Sequence, residues 1–185
     1  MAFLLLGLLL FIAIHLLPTM TGPRQLLIDR LGRMPYLALF SAISVIALLL
    51  IFHGFALAPK DQLWVPLSFS RPLAHALMPV VFILLTAAYL DTHIRAKLKH
   101  PMLIATCIWA FVHFLANGDL ASTLLFSGFF IYALIDIFLA KPRSSLVPKG
   151  KPKAWFDVIA VVVGLILFGL VLRGHQTLFG VAVIG

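Results

Sequence analysis

Apolar runs long enough to cross a bilayer recur along the whole chain, and no other feature restricts its fold as strongly. They cover residues 2–17, 36–58, 73–90, 102–116, 120–140 and 155–172 of the 185. A helix needs about 17 or more apolar residues to traverse the hydrocarbon, and every run approaches or exceeds that length, 102–116 being the shortest. Lone strands in lipid would leave backbone groups unpaired, so each crossing run is expected to be helical. The fold expected is therefore all-α, a polytopic membrane helix bundle of about six transmembrane helices forming one domain over residues 1–185. Composition agrees, since 63% of residues are hydrophobic and only 11% are charged, far below the charge that covers a soluble surface. The first run has no basic segment before it and no A-x-A cleavage pattern after it, so it is read as a retained helix.

Charge gives the runs a direction. The loop after the first run carries Arg24, Arg30 and Arg33, and the loop after the third carries Arg95, Lys97 and Lys99. The loop after the fifth carries Lys141, Arg143, Lys149, Lys151 and Lys153, while the alternate loops and tail hold only Lys60, Arg71 and Arg173. Eleven cations against three place the basic loops in the cytoplasm and both termini on the other side. The net charge of +8 is thus a membrane signature. No basic face interleaved with aromatics is present, which argues against nucleic acid as a partner.

Punctuation fits this layout. Asn117-Gly118-Asp119 reads as a tight turn with Asp119 capping the next helix. Pro101 suits the first turn of a helix, and Trp64 and Trp155 fall at run ends as interfacial anchors. Pro142, Pro148 and Pro152 make the last basic loop extended. Neither an internal repeat of the transporter kind nor a GxxxG pair is visible. The single cysteine, Cys107, can form neither an intrachain disulfide nor a cysteine zinc site.

Chemistry must come from few residues. There is no glutamate, and of six aspartates only Asp136 lies well inside a run, with Tyr132 four residues earlier on the same helix face. An intramembrane carboxylate is a functional candidate by default, but a structural role, snorkelling or bonded to the tyrosine, is the preferred reading here. No paired carboxylates, Ser-His-Asp set or phosphate-binding glycine loop is present. The seven histidines are more informative, because His15, His53, His75 and His113 lie in or near the apolar runs. Imidazole in hydrocarbon needs a hydrogen bond or a metal. Each alone is more often a satisfied packing residue. Several together in a bundle otherwise poor in polar groups point toward haem b, whose iron suits two histidines on facing helices.

Counting from the nearest cytoplasmic cation puts His15 about 13 Å deep and His113 about 21 Å deep, at ~1.5 Å per residue. His53 and His75 both fall at about 30 Å on the same rise, near the outer interface. His113 is the best single candidate, and spacing leaves its partner open between His15 and His75. His100 lies about 220° around the helix from His113 and faces away. Trp109, one turn before His113, could pack against a macrocycle, although an ordinary packing role is the simpler reading.

The stretch from Lys99 to Phe130 resembles the NnrU family of bacterial membrane proteins. The resemblance is carried by His100-Pro101, Trp109, His113 and Ala116-Asn117-Gly118-Asp119-Leu120-Ala121-Ser122, with His15, Arg24, Leu31-Gly32 and Tyr36 in the first half. Arg33-Met34-Pro35 departs from the pattern, since relatives often place an acidic residue there. The family is associated with denitrification in an accessory role, and it is similar to plant 15-cis-zeta-carotene isomerase, which uses a b-type haem. In that relative the ligands are histidines of the first helix and of the helix after the HP motif, which correspond to His15 and His113.

The resemblance implies a multi-pass protein of the bacterial inner membrane that binds haem b through His15 and His113 and serves nitrogen-oxide metabolism. It leaves two alternatives, a haem-dependent cis-trans isomerase and a cofactor-free scaffold. Nitric oxide or a polyene is then the ligand to be expected, with the lipid bilayer as surroundings. The topology is directly testable: a reporter active only outside the cytoplasm should be active when fused after Asp61 and silent when fused after Lys97. The reverse result would invert the assignment.

Overall fold

The helices begin and end where the sequence supplies breakers and caps. The computed structural model describes residues 1–139 and 150–183, and among these it has eight α-helices: α1 (Ala2–Leu16), α2 (Thr21–Leu31), α3 (Arg33–Leu57), α4 (Ser70–Ala87), α5 (His93–Leu98), α6 (Pro101–Ala116), α7 (Leu120–Leu139) and α8 (Ala154–Phe179). Five segments are long and apolar enough to cross a membrane, and α6 is a shorter apolar helix. The described residues form no strand beyond one isolated bridge between Gln62 and Asp119. The third basic loop's Lys141, Arg143 and Lys149, with Pro142 and Pro148, and the end of the fifth run at Ala140 lie outside the described residues.

Three differences from the sequence reading have local causes. First, α1 does not run on to Arg24. A short 3-10 turn over Leu17–Thr19 with Pro18 at its start, followed by Met20 in extended conformation, ends it, since proline lacks the N–H that would continue the ladder. The basic segment after it then folds as a separate helix, α2, which Gly32 ends at φ +84°. Second, the next basic segment contains α5, whose first turn is capped by the Thr92 hydroxyl accepting from the Arg95 N–H at 2.9 Å. Third, α8 continues seven residues past the apolar run to Phe179, where left-handed Gly180 stops it. Its 26 residues span about 39 Å, so Arg173 belongs to a helix and not to a tail.

The chain gathers into two compact units. The first comprises Met1–Ser68 and the chain from His113 through α7. In it Gly7 lies against Ala47 and Ile51, Gly54 against Leu4, and His15 against Phe40, so α1 and α3 run antiparallel. Leu8 faces Gly128, and His15 faces Tyr132, so α1 and α7 run parallel. Arg24, Arg30 and Arg33 therefore share one end of this unit with the C-terminus of α7, while Lys60 and Asp119 occupy the other. The second unit holds Phe69–Val112 and the chain from Gly150 through α8. Ile83 meets Gly164, Phe82 meets Phe168, and the Lys153 N–H donates to the Asp91 carbonyl at 3.1 Å, so α4 and α8 are antiparallel. Arg95, Lys97, Lys99, Lys151 and Lys153 gather at one end of that unit. Within each unit the charges segregate as the loop pattern requires.

Many buried positions are small residues, and many large apolar side chains are exposed. Buried positions include Ala47, Ala87, Ala110, Ala121, Ala133, Ser70, Ser122 and Thr92, whereas Leu9, Leu49, Phe52 and Leu170 are exposed. Small residues let backbones approach, and large apolar ones meet lipid. Gly54 is the tightest of the glycines inside the described helices, since a Cβ there would overlap the backbone of Leu4, while one at Gly169 would meet nothing within 4 Å. Gly54→Ala should cost at least about 1–3 kcal/mol by overpacking, and Gly169→Ala should be neutral or mildly stabilising. Thermal unfolding in detergent would check both, and equal tolerance at the two sites would contradict the packing described.

Candidate functional site

His15 enters its surroundings through the helix that carries it. On α1 the carbonyl of Phe11 lies one turn back, and the His15 Nδ1 is 2.8 Å from it. A carbonyl only accepts, so Nδ1 carries the hydrogen and donates it. In the neutral ring this leaves the lone pair on Nε2. The imidazole stacks on the Phe11 ring at 3.8 Å, lies 5.2 Å from Phe40 of α3, and meets Tyr132 of α7 edge-on at 5.9 Å. Three helices of the first unit thus hold one ring.

Tyr132 is itself held. Its hydroxyl donates to Asp136 Oδ2 at 3.2 Å, and both residues are buried, Asp136 with 3% of its surface exposed. Of the two structural readings of Asp136, the tyrosine-bonded one is thereby borne out.

His113 reaches the same unit from the last turn of α6. Its ring lies 5.0 Å from Phe126 on α7, and its carbonyl accepts from the Asn117 side chain at 2.8 Å, which closes the helix end. Phe126 and Tyr132 are six residues apart on α7, about 9 Å along its axis. Phe129 lies midway between them, with its ring 5.0 Å from Phe11. The two histidines therefore contact α7 on either side of the helix midpoint. That replaces the depth counted for His15 from Arg24, which assumed a helix unbroken to that residue. His15 sits four residues before the first membrane segment ends at Thr19.

The turn that returns the chain from α6 to α7 is pinned as expected. Asp119 Oδ1 accepts from the Ser122 N–H at 3.0 Å, the capping geometry of a helix start. The Gly118 carbonyl accepts from the Leu63 and Trp64 N–H groups, and the Leu120 N–H donates to the Asp61 carbonyl at 2.9 Å. A side chain at Gly118 would collide with the Trp64 carbonyl. Lys60 lies 3.9 Å from Asp119 and over the Phe55 ring. Its ammonium is pulled below the ordinary lysine value by partial burial, against which the Asp119 carboxylate acts in the opposite sense.

The other sequence candidates have their own local surroundings. His75 is exposed on α4, and Trp109 packs on the Val81, Leu84 and Ala105 cluster. Both belong to the second unit. His53 is exposed on α3 with its ring 5.5 Å from Phe3. Phe11, Phe40, Phe126 and Phe129 were not singled out. Spacing offers a signal for some, since Phe11 precedes His15 by one turn and the α7 aromatics recur every three residues. Among sixteen phenylalanines it was not distinctive.

Among the described residues no group of three His, Cys, Asp or Glu comes together that could hold a metal ion. A tetrapyrrole asks less, because it brings four equatorial nitrogens and leaves one or two axial positions to the protein. One imidazole with its tautomer fixed by a backbone carbonyl, a second imidazole in the same unit, and an aromatic lining fit that requirement.

Fold and site define a helical, multi-pass membrane protein with two histidines set among aromatic rings in one helix group. The family model for NnrU proteins matches residues 3–183, running through both units. The chain belongs to the NnrU family. No match was found among curated proteins or solved structures.

Asp119→Ala should destabilise the protein by about 1 kcal/mol through loss of the cap. Asp119→Asn should keep the cap while lowering the Lys60 titration further, because only the charge is removed. Thermal unfolding and a side-chain NMR titration of Lys60 measure the two effects separately.

Proposed function

We propose that this protein binds haem b in its first helical unit, with His15 and His113 as the axial ligands, and serves an accessory role in nitrogen-oxide metabolism at the bacterial inner membrane. The observation that carries the reading is the state of His15. Its Nδ1–H is committed to the Phe11 carbonyl, so the neutral ring has its lone pair on Nε2, as a ligating histidine whose other nitrogen donates to a backbone carbonyl does. His113 stands against the same helix from the other side of its midpoint. The aromatic side chains Phe11, Phe40, Phe126 and Phe129 offer apolar surface and exclude water, which raises the importance of each polar contact.

Haem held this way would supply a redox-active iron, and a small ligand such as nitric oxide would reach it only on displacing one of the two histidines. The protein's own contribution is to orient two imidazoles, fix one tautomer and keep the site dry. Family membership supports the link to nitrogen oxides, and the segregation of cations at one end of each unit supports a cytoplasmic position for the basic ends. The isomerase reading uses the same histidines and is separated from the accessory role by polyene turnover on the reduced holoprotein.

The test is an absorption spectrum of detergent-purified protein, oxidised and after dithionite, for wild type, His15→Ala, His113→Ala and His75→Ala. A six-coordinate low-spin b-type spectrum lost in the first two variants and kept in the third is expected. A colourless wild type after haem supplementation would exclude the proposal, and loss of the spectrum only in His75→Ala would move the ligand to α4.

A further inference from the structure

Two buried polar residues of the first unit, Tyr132 and Asp136, are bonded to each other on α7, and the first of them meets the His15 ring. Tyr132 presents its ring edge-on to His15 at 5.9 Å, with an interplanar angle of 76°, and its hydroxyl donates to Asp136 Oδ2 at 3.2 Å. The same tyrosine ring meets Phe11 at 5.9 Å and 86°, and Phe11 is the residue that both stacks on His15 and accepts its Nδ1–H. One tyrosine therefore braces both the imidazole and the ring that orients it. A buried carboxylate is expensive in an apolar bundle and persists there only for a compensating reason. Holding the Tyr132 hydroxyl supplies one.

We infer that Tyr132 and Asp136 are a positioning pair: the Asp136 carboxylate fixes the Tyr132 ring, which holds His15 in its single Nδ1–H orientation. The inference rests on the haem reading for its functional meaning, but the orientation of His15 is a property of the protein itself. In this role Asp136 acts as a hydrogen-bond acceptor, not as a charge. Asparagine, whose amide oxygen also accepts, should replace it, and alanine should not. Tyr132→Phe keeps the ring and removes only the hydroxyl.

Two readouts separate this pair from the haem proposal. In haem-free protein labelled with 15N-histidine, the His15 resonance (assigned by its loss in His15→Ala) should report one Nδ1–H tautomer in wild type and Asp136→Asn. Mixed tautomers are expected in Tyr132→Phe and Asp136→Ala. In haemin titrations the last two variants should bind about tenfold more weakly, as loss of an outer-shell partner does. The double variant Tyr132→Phe/Asp136→Ala should be no weaker than either single one, because both remove the same bond.

An unchanged tautomer in Tyr132→Phe would overturn the pair, and that variant decides the matter even if Asp136→Ala fails to fold. Asp136→Asn as damaging as alanine would mean that charge matters, and would overturn it as well. A wild type that binds no haem while the tautomer still responds would leave the pair standing and remove the function proposed above.

Discussion

In hydrocarbon a helix gains little by covering leucine with leucine, so contact between helices has to come from close fit. The first unit obtains that fit where Gly7 sits against the backbone of Ala47 and Ile51, and Gly54 against Leu4. These contacts bring α1 and α3 together along their length in antiparallel register. Everything at the His15 end follows from that approach, because Phe40 of α3 reaches the His15 ring only if the two backbones are close. The second unit repeats the device with Gly164 against Ile83. Isolated small residues suffice, which is why no GxxxG pair is needed.

The second constraint is that an unbonded polar side chain is costly in such a bundle, and several here find partners locally, although the buried Tyr36 and Thr123 hydroxyls have none among the described residues. Ser44, Thr86, Thr106 and Ser127 each donate to the carbonyl one turn back, the usual way a hydroxyl is accommodated in an apolar helix. His15 uses the same bond to Phe11, and Asn117 the same bond to His113. Tyr132 and Asp136 form the side-chain version over the same spacing. What distinguishes His15 is that imidazole has a second nitrogen. The backbone bond satisfies the first and so defines the state of the second.

Periodicity and run length carried most of the architecture. Five of the apolar runs became spanning segments and the sixth became the shorter α6. Pro101 opens α6 and Asp119 caps α7, where their chemistry placed them. What could not be read were elements that composition disguises. The helix α2 lies in a basic segment that looks like a loop, and α8 passes through Arg173 because its apolar run does not mark the true stop at Gly180. For the candidate site, residue type pointed to His15, His113 and Asp136. Depth counting failed for His15 because Pro18 breaks the helix it relied on. The aromatic residues that hold the ring are specified by contacts between helices distant in sequence, which spacing along one helix does not encode.

In the proposed function, two imidazoles from α1 and α6 would converge on one iron. Electron spin-echo spectroscopy of the ferric protein, with histidine 15N-labelled and all other nitrogens at natural abundance, tests it most directly. Coupling to two equivalent histidine nitrogens in a low-spin centre, reduced to one or none in His15→Ala and in His113→Ala, is the result expected. A centre showing one histidine nitrogen in the wild type, or one whose couplings survive both substitutions, would contradict it.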